Sequence, residues 1–371
     1  MADGANSPKA TRPSSENVRL IRDIHAKKVD GAEMGDESEQ GLEEARVMVA
    51  DRAGIADGAQ MTDPGRDLSH SPGLVLSRWV AAARPRTLPL TLTPVVAGLA
   101  LALATTGGLH LATALATLLA AVAIQVGTNL HNDVNDFERG NDTADRLGPP
   151  RASAQGWFTP AQVRRAAHLA FLAALVLGAL LCLRGGWPIL LLGLASLAAG
   201  YAYTGGPRPI AYGPFGEVYV LLFFGVAAVA GTHYLQTLSF SPGALALGAI
   251  LGLPAAAVLL INNYRDLETD RQGGRRTLCH YLGRARARLL YAFLMLAPPF
   301  LLMLLLMLTQ LNPPARVWPL LAALPVGLWL VVRLQRGAQG VALNPVLGTT
   351  ALYQTLLTLL LILGLVWPRA F

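Results

Sequence analysis

GALALGAILGLPAAAVLLINNYRDLETDRQGGRRT, Gly243 to Thr277, changes its preferred solvent partway along its length. Residues 243–263 carry no charge, and at 1.5 Å rise per residue a helix of that length crosses a ~30 Å hydrocarbon core. The next dozen residues bring three carboxylates and several arginines. This is the pattern of a membrane helix running out into the aqueous edge. Working outward, comparable apolar runs of about 17–22 residues occur at 87–106, 109–130, 166–183, 186–204, 217–236, 288–309, 316–332 and 349–367. None alternates with the period of a strand, so the spans are helices and not barrel staves. The expected fold is all-α: a polytopic membrane protein of about nine transmembrane helices around a central cavity.

Composition agrees. The chain has 371 residues, of which 53% are hydrophobic and only 14% charged, where a soluble chain carries about 25% charge. Its formal charge of +7 hides two unlike parts. Residues 1–77 are net −5 and lack any sustained apolar run. Such a stretch buries too little apolar surface to offset its ordering entropy, so a disordered acidic extension is expected there. It also lacks the apolar core of a secretory leader. Residues 78–371 are net +12, with arginine but no lysine, and form the expected membrane domain. Cys182 and Cys279 have neither CxxC spacing nor a nearby partner, and are read as small apolar side chains.

The arginines set the orientation. Eighteen lie ahead of the first run or after the even-numbered ones, against three (Arg184, Arg316, Arg369) on the other side. The positive-inside rule places the N-terminus and the long loops in the cytoplasm of a bacterial-type inner membrane. Nucleic acid is not an expected partner; the lipid bilayer is.

Eight of the nine carboxylates in residues 78–371 fall in two short stretches on that cytoplasmic side: five in NLHNDVNDFERGND from Asn129 and the TAD that follows it to Asp145, and three in NNYRDLETDRQGGRRT from Asn262. Both contain Asn-x-x-x-Asp, as Asn132 with Asp136 and Asn262 with Asp266, followed by further aspartates such as Asp270. A spacing of four puts such pairs on one helix face. The match suggests a repeated helix pair whose two ends face each other across the cavity. Clustered carboxylates at a bilayer edge repel unless a cation is bound. Magnesium suits them, because it takes oxygen ligands and completes its shell with water and substrate phosphates. Arg265, Arg275 and Arg276 add forked donors for phosphate oxygens. A cation-coupled transporter could use the same carboxylates, but transporters hold them near the midplane, and here they lie among arginines that oppose cation passage.

These segments resemble the UbiA superfamily of intramembrane prenyltransferases. The stretches RPRTLPLTLTPVVAG from Arg84, GPPRASAQGWFT from Gly148 and YTGGPRPIAYGPFGEVYVLLFFG from Tyr203 are similar to the branch acting on 1,4-dihydroxy-2-naphthoate in menaquinone synthesis. The spacing from Asp136 to Asp142 and the downstream GPPR favour that branch over the 4-hydroxybenzoate and haem-precursor branches. The resemblance spans about residues 78–371 and implies a UbiA-type bundle. It implies metal or diphosphate roles for Asn132, Asp133, Asp136, Asp142, Asp266 and Asp270, with Asp133, Asp136, Asp266 and Asp270 at the chemistry. Asn129, Asn132, Asn262, Arg265, Arg275, Arg276, Arg151 and Tyr203 are the expected substrate-binding residues. Where the family commonly has lysine, this chain has Arg275, which keeps the charge but not its point-like form.

The implied reaction moves a polyprenyl group from polyprenyl diphosphate to 1,4-dihydroxy-2-naphthoate, releasing CO2 and diphosphate and giving demethylmenaquinone. Another acceptor, such as 4-hydroxybenzoate, homogentisate or a similar phenol, is the alternative within the family. Tyr201 and Tyr203 are candidates to face a cationic carbon or to anchor the helix at the interface. Arg84, Arg86 and Arg208 join Arg151 as candidates for the acceptor carboxylate or the diphosphate. His131 is a candidate base or a helix-end histidine without a role.

Overall fold

Two of the long helices begin on a side-chain cap, at Thr159 and at Ser241, and one ends on a left-handed glycine, Gly107. The computed structural model describes residues 72–142, 147–309 and 318–366, and among them regular structure is entirely helical. The expectation for residues 1–71, together with Asp145, Arg146, Arg316 and Arg369, lies outside the described residues. Helix α1 (Pro72–Ala83) starts earlier than the expected domain boundary at 78. Residues 72–77 are therefore helical, because Pro72 opens the turn and Leu74, Val75 and Leu76 continue into the apolar stripe of Trp79 and Val80.

Helix α2 (Leu88–Thr106) ends on Gly107 at φ 77°, and α3 (Leu111–Glu138) carries the first acidic segment on its last turns. Helix α4 (Pro160–Ala202) opens on a Thr159–Gln162 capping box. Then come α5 (Gly216–Thr237) and α6 (Pro242–Arg265), capped by Ser241. The short α7 (Leu267–Gln272), α8 (Leu278–Leu308), α9 (Trp318–Gln335) and α10 (Asn344–Val366) complete the bundle.

Among the described residues, eight helical stretches are long and apolar enough to cross a membrane. One of them, α4, is two helices folded back on each other, since Phe171 of the first arm and Gly200 of the second meet beside Gly127 and Thr128 of α3. Gly186 breaks it at φ 65°, ψ −154°, a conformation that only glycine adopts readily. Its 43 residues would reach about 65 Å as one rod, twice the hydrocarbon thickness. The two arms match the expected runs 166–183 and 186–204, so the nine runs of the sequence are accounted for.

The core lies among α6, α8, α9 and α10, around the buried tyrosines Tyr264, Tyr291 and Tyr353. The Tyr353 hydroxyl donates to the Met295 carbonyl at 2.5 Å, and the Tyr291 and Thr350 hydroxyls share a bond of 2.7 Å. Helices α5 and α6 approach so closely that a Cβ on Gly225 would fall 2.4 Å from the Gly248 carbonyl oxygen. Beside this contact, Leu222–Ala227 winds as a π-helix. That extra residue in the turn rotates Phe223 and Phe224 towards the central cavity.

Candidate active site

The cavity between α2, α3, α4, α5 and α6 has a volume of roughly 470 Å³ and is apolar along most of its length. Leu175, Leu190 and Leu194 of α4 line it and are exposed. The other end is polar. Arg84, Asn132, Asp136, Arg151, Asn262 and Arg275 meet there.

That polar end joins the two acidic segments. Asp136, 2% exposed, stands on the last turns of α3. Arg275, in the turn after α7, donates through Nη2 to Asp136 Oδ1, while its Nη1 lies 3.7 Å from Asp270 Oδ1. One guanidinium thus touches a carboxylate of each segment. Arg151 approaches Asp136 from the opposite side, its Nη1 at 2.6 Å from Oδ2, 2.9 Å from the Asn132 carbonyl and 3.2 Å from Asp142 Oδ2. Burial pushes the Asp270 carboxyl up to about 7, against the opposing pull of Arg275. Holding full negative charge here is costly until more cation arrives.

Several expected residues take other places. Asp133, expected at the metal, is 1% exposed, and its two oxygens accept the backbone N–H groups of Ala152 and Ser153 at 2.8 and 2.9 Å. It fixes the turn that aims Arg151, and it does not line the cavity. Its placement has a simple cause: Asp133 and Asp136 are three apart on a helix, and the returning loop 147–156 covers the Asp133 side. Asp133→Ala is expected to lower thermal stability by about 1–3 kcal/mol, the loss from unpairing buried donors. The magnesium concentration for half-maximal activity should stay unchanged, and a large rise in it would restore Asp133 to the metal.

Arg265, expected at the diphosphate, turns away from the cavity. It grips Asp266 with two bonds of 2.7 and 2.6 Å and reaches Asn262 and Asn344, tying the second segment to α10. Asp142 is buried behind Arg151. Arg276 is exposed, and its backbone N–H donates to the Tyr212 carbonyl. Asn129 holds the entry turn, donating to the Ala83 carbonyl at 3.0 Å and Thr87 Oγ1 at 3.1 Å, and also borders the cavity. Tyr203 lines the cavity, whereas Tyr201 is exposed and packs on His131, which also contacts Asn135. Arg86 and Arg208 are exposed.

Three residues escaped sequence reasoning. Thr204 donates to Asn132 Oδ1 at 2.6 Å. Tyr212 lies under Arg275, its ring centroid 4.7 Å from the guanidinium carbon. Asn263, adjacent to the expected Asn262, faces the cavity and is held by Glu217. No spacing rule marks Thr204 or Tyr212. Glu217 carried a signal, as the lone carboxylate outside the two segments.

The donor set fits magnesium. Apart from arginine, the two segments bring oxygen ligands to this end, and their opposed carboxylates already share one cation, Arg275. Among the described residues no three Asp, Glu, His or Cys side chains form a closed metal set. Magnesium needs none, because one or two carboxylates plus substrate phosphates suffice.

A multi-pass bundle whose apolar cavity ends in paired carboxylates and arginines defines an intramembrane transferase. The chain belongs to the UbiA prenyltransferase family, whose sequence model matches residues 91–344. It is 38% identical over 279 residues to 1,4-dihydroxy-2-naphthoate octaprenyltransferase of Mycobacterium tuberculosis, covering 74% of this chain and 92% of that one. The Escherichia coli protein of the same name is 35% identical over 293 residues, covering 77% and 94%. In fold, the chain resembles the UbiA homologue of Archaeoglobus fulgidus bound to DMAPP and Mg2+, with a TM-score of 0.58 at 16% identity, covering 78% of this chain and 99% of that one.

Proposed function

We propose that this chain transfers a polyprenyl group from polyprenyl diphosphate to 1,4-dihydroxy-2-naphthoate. The observation that carries the reading is Arg275 linking Asp136 to Asp270 at the polar end of an apolar cavity. A prenyl tail suits the apolar cavity; the diphosphate suits the arginines. The names borne by relatives matching nearly their full length favour the naphthoate acceptor. The arginine-rich end faces the cytoplasm of the inner membrane, on the distribution of charge between loops.

Asn132, Asp136, Asp142, Asp266 and Asp270 are the residues that would hold magnesium. When bound, the ion neutralises charge gathering on the leaving diphosphate. Arg151 and Arg275 add fixed donors to the same oxygens, preorganised by Asp136 and by the Tyr212 ring. The allylic C–O bond breaks with its electron pair passing to diphosphate, and a ring carbon of the acceptor bonds to the allylic carbon. The carboxylate then leaves as CO2, and its electron pair restores aromaticity, giving demethylmenaquinone in its reduced form. No separate base is required. Tyr203 and Phe224 border the cavity where the allylic carbon would pass and screen it from water.

Purified protein given one prenyl donor and three acceptors tests the assignment. Dihydroxynaphthoate is expected to yield a prenylated, decarboxylated lipid by mass spectrometry, with 4-hydroxybenzoate and homogentisate giving none. Product from either of the latter in preference to the first would move the chain to another branch.

A further inference from the structure

Glu217 is the one carboxylate of the described residues outside the two acidic segments, and it is 5% exposed at the start of a membrane-spanning helix. A carboxylate so placed is costly and needs a reason. Among the described residues no arginine forms an ion pair with it. Its Oε1 accepts from Asn263 Nδ2 at 2.9 Å, and its other oxygen has no hydrogen-bond partner. Asn263 is 8% exposed, lines the cavity, and makes no other side-chain hydrogen bond among the described residues.

An amide can present either its carbonyl or its amino group, and here the hydrogen bond runs from Asn263 Nδ2 to Glu217 Oε1. Glu217 therefore holds the amino end of Asn263 and leaves the carbonyl oxygen to the cavity. The neighbouring amide oxygens are already engaged: that of Asn132 accepts Thr204, and that of Asn262 accepts Arg265. Around a site dominated by arginine donors, Asn263 supplies what they cannot, an acceptor for a hydroxyl proton.

We infer that Asn263, oriented by Glu217, accepts a hydrogen bond from a ring hydroxyl of the aromatic substrate, and that Glu217 is a positioning residue without its own substrate contact. The inference rests on the reading that the acceptor is a hydroxylated arene. It assigns the acceptor to the α5–α6 side of the polar end. A hydroxyl proton drawn towards Asn263 Oδ1 also pushes electron density into the ring that attacks.

The test uses the full chain and measures inhibition constants of 1-hydroxy-2-naphthoate and 4-hydroxy-2-naphthoate, each lacking one hydroxyl of the proposed acceptor. For the wild-type protein, one of the two should bind about tenfold or more weakly than the other, because a site built to bond a hydroxyl rejects the analogue lacking it. In Asn263→Leu that ratio should fall to near one. The KM of dihydroxynaphthoate should rise about tenfold, and that of prenyl diphosphate should move less than about twofold. Glu217→Gln, whose amide can donate or accept, frees Asn263 to turn and should lower the ratio partway, which keeps the test open if Asn263→Leu does not fold. Retention of the wild-type ratio by either folded variant would overturn the inference. If the wild-type protein prenylates a different phenol, the naphthoate reading fails, and the same hydroxyl-deletion comparison on that phenol still decides Asn263.

Discussion

Asp136→Asn is expected to lower prenyl transfer by about a hundred- to thousandfold at saturating magnesium, the scale of losing a preorganised electrostatic contact at the reacting centre. Asp136 receives Arg151 on one oxygen and Arg275 on the other, and it borders the cavity. An amide in its place keeps the shape but removes the charge. Its amino group would also point at one of the two guanidinium groups, so one charge-assisted bond becomes a repulsion. The loss should appear mainly in kcat, since the apolar tail still finds its cavity. Asp266→Asn, assayed beside it, is expected to impair transfer through the Arg265 network that ties the second segment to Asn344. Near-normal activity in both variants, measured as product lipid from membranes of matched expression, would remove the paired-segment mechanism.

Arg275→Met should be comparably severe and should carry a signature of its own. Removing this guanidinium leaves Asp136 and Asp270 facing each other without their shared cation. Breaking a buried pair from one side costs about 3–5 kcal/mol. The variant is therefore expected to melt lower than the wild type in magnesium-free buffer. Added magnesium should recover more of its melting temperature than it adds to the wild type, because the ion then supplies the missing charge. Transfer should fall about a hundredfold. Arg275→Lys keeps a cation at the same place and is expected to retain activity within about tenfold, losing the fork and the flat contact on Tyr212 but not the charge. A methionine variant as stable and as active as wild type would show that the bridge is incidental.

The spans were legible because a bilayer imposes one rule on each of them, and apolar length records it. Even the break in α4 was visible, since RGGWP interrupts the run at the place where Gly186 leaves helical geometry. The meeting of the two acidic segments was legible for a related reason: so many carboxylates near a membrane demand shared counter-charge. Which carboxylate would face inward was not. Asp133 and Asp136 occupy neighbouring faces of the same turn, and the loop that claims Asp133 arrives from 19 residues away. Arg265 likewise finds Asn344 across 79 residues. Asn262 and Asn263 both border the cavity, one step of helix rotation apart, and spacing does not tell which of them the Arg265 network also engages. Partners set by tertiary return leave no periodic trace.

The wall of α4, whose leucines line the cavity and yet remain exposed, has a consequence for how such a protein meets its substrates. A tail longer than the interior can trail into the surrounding leaflet, and a lipid product can depart by the same sideways route without entering water. Turnover would then answer to the mole fraction of donor among membrane lipids, in two dimensions, rather than to any bulk concentration.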